Sequence, residues 1–127
     1  MLSYLARQLK SFRYAFEGIG YVFRTQRNAQ IHLVIVAIVL VLAAWLEIPL
    51  LDFALIVLTI GLVLGAEFLN TALEAVVDLA SPEKHPLAKI AKDVGAGAVL
   101  LLAFIAVVIG LLLLGPPLMD RLAIMFG

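Results

Sequence analysis

The chain has 127 residues, 65% of them hydrophobic and 14% charged, and its nine basic and nine acidic side chains give a formal net charge of zero. This composition belongs to an integral membrane protein rather than a soluble domain, and the neutral balance excludes nucleic acid as a bulk electrostatic partner. Cysteine is absent, which excludes disulfides, thiolate catalysis and cysteine-based metal sites.

Residues 3–28 read as an amphipathic helix in the interface plane. Leu5, Leu9, Phe12, Phe16, Ile19 and Phe23 recur at steps of four and three residues, with basic side chains between them. Such a helix lies on a membrane surface, where each basic residue gains roughly 1 kcal/mol near anionic lipid. Gly18 and Gly20 are the points at which it could break. The same alternation of basic and apolar residues argues against a cleavable signal peptide.

Three apolar runs follow. The first, residues 31–46, is short, with His32 at its entrance as an interfacial residue and Trp45 at its exit as an interface anchor. A turn around Glu47, Pro49 and Asp52 leads to the second, residues 50–79. It is uncharged from Phe53 to Ala66 and continues without a break signal to Leu79, a length of about 40 Å that carries its last turns toward the headgroups. Residues 80–92 form a polar linker bounded by Pro82 and Pro86. The third span, residues 93–114, ends at Gly115-Pro116-Pro117, leaving 115–127 as a tail. The expected fold is therefore all-α: one surface helix and three transmembrane helices.

Lysine and arginine cluster before the first span and in the linker, and are missing from the turn between spans one and two. The positive-inside rule then puts the N-terminus and linker in the cytoplasm and the C-terminus outside. Gly61-x-x-x-Gly65, largely opposite the polar stripe described next, reads as a close helix–helix contact.

Glu67, Asn70, Glu74 and Asp78 leave the second apolar run in register, within about 80° of one helix face at ~100° per residue. Ionisable groups at such depth are costly and face a bundle interior or a wet cavity. No cation lies near them in sequence, so something positive has to meet them. Lys89, Lys92, Asp93 and Ala96 share a face at the start of span three, where Gly95-Ala96-Gly97 admits a close approach. Carboxylates on one wall and ammonium groups on the other suit a metal–polyphosphate ligand. Mg²⁺ uses one or two protein carboxylates and takes its other oxygens from phosphate and water, lysine acts as a point charge on phosphate, and a further carboxylate can accept a proton from an attacking hydroxyl. Lys84 and Lys89 also serve topology, Asp78 and Glu83 are open to solvation at a helix end, and Glu47 and Asp52 mark the outer turn. The chain has no P-loop, histidine-rich metal motif or Ser–His–Asp set.

Glu67-Phe68-Leu69-Asn70-Thr71-Ala72-Leu73-Glu74-Ala75-Val76-Val77-Asp78 resembles the signature of the small prokaryotic diacylglycerol kinases, a family that includes undecaprenol kinases. Ala91-Lys92-Asp93-Val94-Gly95-Ala96-Gly97-Ala98-Val99 is similar to its second block, and Arg27-Asn28-Ala29-Gln30-Ile31-His32 to the opening of span one in the undecaprenol branch. The resemblance implies a multi-pass inner-membrane lipid kinase, a homotrimer whose sites draw on neighbouring subunits and which passes the γ-phosphoryl group of MgATP to a lipid hydroxyl, with undecaprenol preferred over diacylglycerol. It implies Glu67 as proton acceptor and Asn70 as its catalytic neighbour, with Glu67 and Ala96 beside the lipid. Glu74 would be the central metal ligand, with Gln26 at the second metal position. Nucleotide contacts would come from Arg7, Tyr14, Gln26, Glu74, Glu83, His85, Lys92 and Asp93. Gln26 stands where the family commonly carries a glutamate, which weakens a second metal.

Apart from the resemblance, three spans can scarcely wrap the acidic face alone, which argues for an oligomer with closed cyclic symmetry. The competing readings are a cation- or proton-conducting oligomer, against which Thr59 is the only polar side chain in the outer half of helix two, and a catalytically impaired subunit, for which Gln26 is the hint.

Overall fold

The computed structural model describes residues 2–127, with side chains from Arg7 onward, so Leu5 of the apolar stripe lies outside the described side chains. The chain is all helical: α1 (Leu2–Thr25), α2 (Arg27–Trp45), α3 (Leu50–Ala80) and α4 (Pro86–Phe126). The last three are long and apolar enough to cross a membrane. The most extensive packing joins α3 to α4.

α1 is not interrupted at Gly18 or Gly20. Each glycine costs about 1 kcal/mol in a helix, but Gly20 is a seat for Arg24, whose Nε donates to the Gly20 carbonyl at 3.1 Å. A Cβ at Gly20 would come within 2.9 Å of the Arg24 guanidinium. The break falls at Gln26, which is extended (φ −100°, ψ 110°). Gln30 then reaches back from α2 and donates through Nε2 to the Phe23 carbonyl at 3.1 Å, covering one of the acceptors that a helix end leaves open. Val22 is buried and Phe23 half-buried, while Leu9, Phe12 and Phe16 are exposed.

The α2–α3 turn is a Schellman motif. Glu47 takes φ 53°, its N–H donates to the Ala44 carbonyl at 3.2 Å, and the Ile48 N–H donates to the Ala43 carbonyl at 3.4 Å. This turn normally recruits glycine at the left-handed position. Ile48 packs with Ala43, Leu46, Ile56 and Leu114 in the hydrophobic cluster at this end of the molecule.

Two boundaries differ from the sequence expectation. The linker shrinks from 80–92 to the residues between Ala80 and Pro86, because His85 caps α4 by accepting the Leu87 N–H on Nδ1 at 3.2 Å and Pro86 occupies the first turn, a position its fixed φ suits. The expected stop at Gly115-Pro116-Pro117 also fails, since α4 runs on to Phe126 and turns the tail into helix. The prolines deprive the Leu112 and Leu113 carbonyls of their helical donors, a loss that long membrane helices tolerate when neighbouring contacts hold the path. Arg121 supplies such contacts. It donates to the Trp45 carbonyl at 3.0 Å, lies 5.6 Å from the Trp45 ring centroid and sits 3.9 Å from the Glu47 carboxylate.

Gly61 and Gly65 make no close helix–helix contact within the chain, as a Cβ at either would meet nothing within 4 Å.

Candidate active site

One face of α3 carries Ile56, Ile60, Val63, Glu67, Asn70, Glu74 and Asp78, all within about 80° at ~100° per residue. It changes from apolar to acidic along its length, and Glu67 stands at the change. Its side chain is only 3% exposed. Neither Glu67 Oε2 nor Asn70 Oδ1 has a hydrogen-bond partner among the described residues. A buried polar atom left unpaired costs about 1–3 kcal/mol, so such atoms call for a role beyond packing. Asn70 Nδ2 donates to Glu74 Oε1 at 3.2 Å, which leaves the other Glu74 oxygen available. Thr71 is held by its own helix, donating to the Glu67 carbonyl at 2.9 Å.

Three neighbours enclose this turn of α3. From α4, Gly95 lies directly against Asn70: a Cβ there would fall on Asn70 Oδ1 and within 3.0 Å of Leu73 Cδ2. From α1, Phe23 meets Phe68 edge to face, with centroids 5.5 Å apart and rings at 80°. From α2, His32 is half-buried and lines the apolar cavity together with Leu64, one turn of α3 from Glu67. From sequence alone His32 is an interfacial residue at the head of the first span. A histidine heading an apolar run was the available signal, but the residue it shares the cavity with lies on another helix. A single chain buries Glu67, while Asn70 and Glu74 of the same face remain half-buried.

Two cavities lie along α3 on either side of the Glu67–Glu74 stretch, and neither is lined by Glu67, Asn70 or Glu74. The polar one, about 660 Å³, lies between the facing ends of α3 and α4, and Asp78, Glu83, His85, Lys92 and Asp93 line it together with Lys84 and Lys89. Lys92 Nζ meets Asp78 Oδ1 at 2.5 Å across the two helices, so Asp78 is paired rather than merely solvated. Lys89 pairs with Asp93 one turn on. These pairs are largely exposed, and such contacts contribute at most about 1 kcal/mol. The apolar cavity, about 370 Å³, runs between α2, α3 and α4 from His32 and Leu64 toward Leu118.

The remaining residues singled out from sequence lie apart from the polar cleft. Tyr14 is exposed on α1 with the Arg13 guanidinium 5.2 Å from its ring centroid, and Arg7 is exposed on the same helix. Gln26 is half-buried at the α1–α2 junction and donates to Thr25 Oγ1 at 3.2 Å. Ala96 is exposed on α4. Among the described residues no group of three or more His, Asp or Glu side chains could hold a metal ion. An ion carried in by phosphate oxygens needs only one or two protein carboxylates, and Glu74 offers one free oxygen.

A polytopic helical membrane protein with a buried, unsatisfied carboxylate and a basic–acidic cleft further along the same helix is the class that fold and site define. The Prokaryotic diacylglycerol kinase family matches residues 13–114, and the chain belongs to this family of lipid kinases. A diacylglycerol kinase of Synechocystis is 51% identical over 113 residues, which cover 88% of this chain and 65% of that protein. The undecaprenol kinase of Bacillus subtilis is 44% identical over 114 residues, 90% of this chain and 93% of the relative. Escherichia coli diacylglycerol kinase is 33% identical over 108 residues, with 85% and 88% covered.

Proposed function

We propose that the chain is an ATP- and Mg²⁺-dependent lipid kinase that phosphorylates the hydroxyl of a membrane lipid, with undecaprenol preferred over diacylglycerol. The observation that carries this reading is the unpartnered Glu67 carboxylate oxygen, buried on α3 between an apolar cavity that ends at Leu64 and a polar cavity that begins at Asp78. The acceptor hydroxyl sits against Glu67, its hydrocarbon in the apolar cavity and the nucleotide in the cleft. Glu67 takes the hydroxyl proton as the oxygen attacks the γ-phosphorus, and the bond to the bridging oxygen breaks with its electrons leaving on ADP. Phosphoryl transfer of this kind depends chiefly on positioning and charge stabilisation. Asn70 holds Glu74 through its carboxamide, so that Glu74, with Gln26, is the side chain to hold Mg²⁺. The ion, when bound, neutralises charge on the triphosphate. Lys92, Asp93, Glu83 and His85, which line the cleft, contact the nucleotide, and Arg7 and Tyr14, which lie apart from it in the single chain, reach it from the α1 of a neighbouring copy. Ala96, beside Gly95, leaves room for the lipid.

The orientation that fits has α1 on the cytoplasmic face of the inner membrane and the C-terminus outside. A homotrimer would cover the apolar surface that the single chain leaves open. The preference for undecaprenol rests on the Arg27–His32 segment and on the Bacillus subtilis relative, whose name specifies that activity. A conducting oligomer finds less support, because the Thr59 hydroxyl is committed to the Leu55 carbonyl at 2.7 Å and offers no relay station. The test is labelled ATP with each lipid in micelles, read by thin-layer chromatography. Labelled undecaprenyl phosphate in excess over phosphatidate is the expected result. Label in neither lipid would refute the kinase reading, and excess phosphatidate would reverse the acceptor preference.

A further inference from the structure

The apolar groove begins at His32 and Leu64, one turn of α3 from Glu67, and ends at Leu42, Ile56 and Leu118. From His32 to Leu42 is about 15 Å at ~1.5 Å per residue, or half the ~30 Å hydrocarbon thickness of a bilayer. Its lining suits hydrocarbon. His32 and Thr59 are the only polar side chains in it, and the Thr59 hydroxyl is turned onto its own helix. Nothing below His32 is free to hydrogen-bond a polar ligand.

The far end of this groove is closed by residues outside the family match, which stops at residue 114. Leu114 is buried against Ala43, Leu46 and Ile56, and Leu118, one turn further along the continued α4, packs on that cluster. Arg121 fastens the continuation to Trp45 and Glu47. Gly115 lines the groove next to this floor, and a Cβ there would meet nothing within 4 Å.

We propose that the continuation of α4 beyond Leu114 is a depth gauge: Leu118 and Gly115 set how much of the acceptor's hydrocarbon chain enters the groove before the rest must turn out into the bilayer. This rests on the lipid-kinase reading above. Hydrocarbon is favoured as the occupant because the lining is apolar and because one end of the groove, at Leu64, lies one turn of α3 from Glu67, where the lipid hydroxyl would react.

The experiment measures kcat/KM of the full-length protein with MgATP on diacylglycerols and polyprenols of graded chain length in mixed micelles. While added methylenes still enter the groove, kcat/KM rises with chain length through closer packing, since a chain already in micelle hydrocarbon gains nothing from leaving water. It levels off once the floor is reached. Leu118→Ala deepens the groove and moves the plateau to longer chains, whereas Gly115→Leu fills it and moves the plateau to shorter ones. Leucine is a better helix former than glycine, so the second variant keeps α4 intact. A wild-type protein labelled by a lipid with a photoreactive chain end supplies a check without substitution, with adducts expected on the peptide around Leu114–Leu118. Plateaus that stay in place in both variants, with adducts elsewhere, would overturn the gauge while leaving the kinase reading intact. No phosphorylated lipid of any length would remove both. A Gly115→Leu protein that changes its oligomeric state but not its chain-length profile would mean that a second copy of the chain fills the groove, and the gauge would fall.

Discussion

At the scale of single residues, the site depends on atoms that the fold leaves unsatisfied. Glu67 Oε2 and Asn70 Oδ1 are buried without partners, a destabilisation accepted where a reacting group will later supply the missing contact. Glu67→Gln keeps the shape and removes the proposed proton acceptor. It should lower kcat by about 10²–10⁴, the usual contribution of general base catalysis, while calorimetry still detects MgATP binding. Glu74→Gln should weaken MgATP binding as well, and full activity in either variant would contradict the roles. Gly95→Ala tests the support behind them. The new methyl group would occupy the position of Asn70 Oδ1 and press on Leu73, and overpacking of this kind costs about 1–3 kcal/mol. A lower melting temperature together with a raised KM for MgATP is expected; an unchanged KM would show that Asn70 does not help hold the nucleotide side of the site.

Among the elements, the α2–α3 turn and the end of α4 form one unit. Glu47 holds a left-handed conformation that costs a non-glycine residue about 1–2 kcal/mol, and its exposed contact with Arg121 returns at most about 1 kcal/mol. Glu47→Gly should therefore be neutral to stabilising, by up to about 1 kcal/mol, in thermal unfolding in detergent. A clear destabilisation would give the Arg121 contact more weight than its geometry suggests. α3 plays the opposite part: its single face changes from Ile56 and Val63 to Glu67 and Asp78, so one rigid helix registers the hydrocarbon end of the site against its polar end.

For the whole molecule, the isolated chain leaves most of its apolar side chains exposed, including those of α1 at Leu9, Phe12 and Phe16. Lipid covers part of such a surface, and in the proposed homotrimer further copies of the chain would cover the rest. Mild detergent extraction followed by native mass measurement should give three copies per particle, and a monomer that phosphorylates lipid would remove the need for shared sites. Gly61 and Gly65, open on the surface of α3, are available to such a neighbour.

Much of this was legible along the chain, because it depends on local periodicity. The apolar runs of α2 and α3, the alignment of Glu67 with Asn70, Glu74 and Asp78, and the basic–acidic face opening α4 all follow from composition and the 3.6-residue repeat. These determine the helices and which groups each presents. Which groups meet across helices follows from packing alone: His32 and Leu64 on one cavity, Gly95 against Asn70, Lys92 on Asp78, and Arg121 beyond two prolines on Trp45. A periodic pattern specifies a face but not the crossing angle or depth at which another face meets it, and those are set by side-chain packing between elements distant in sequence.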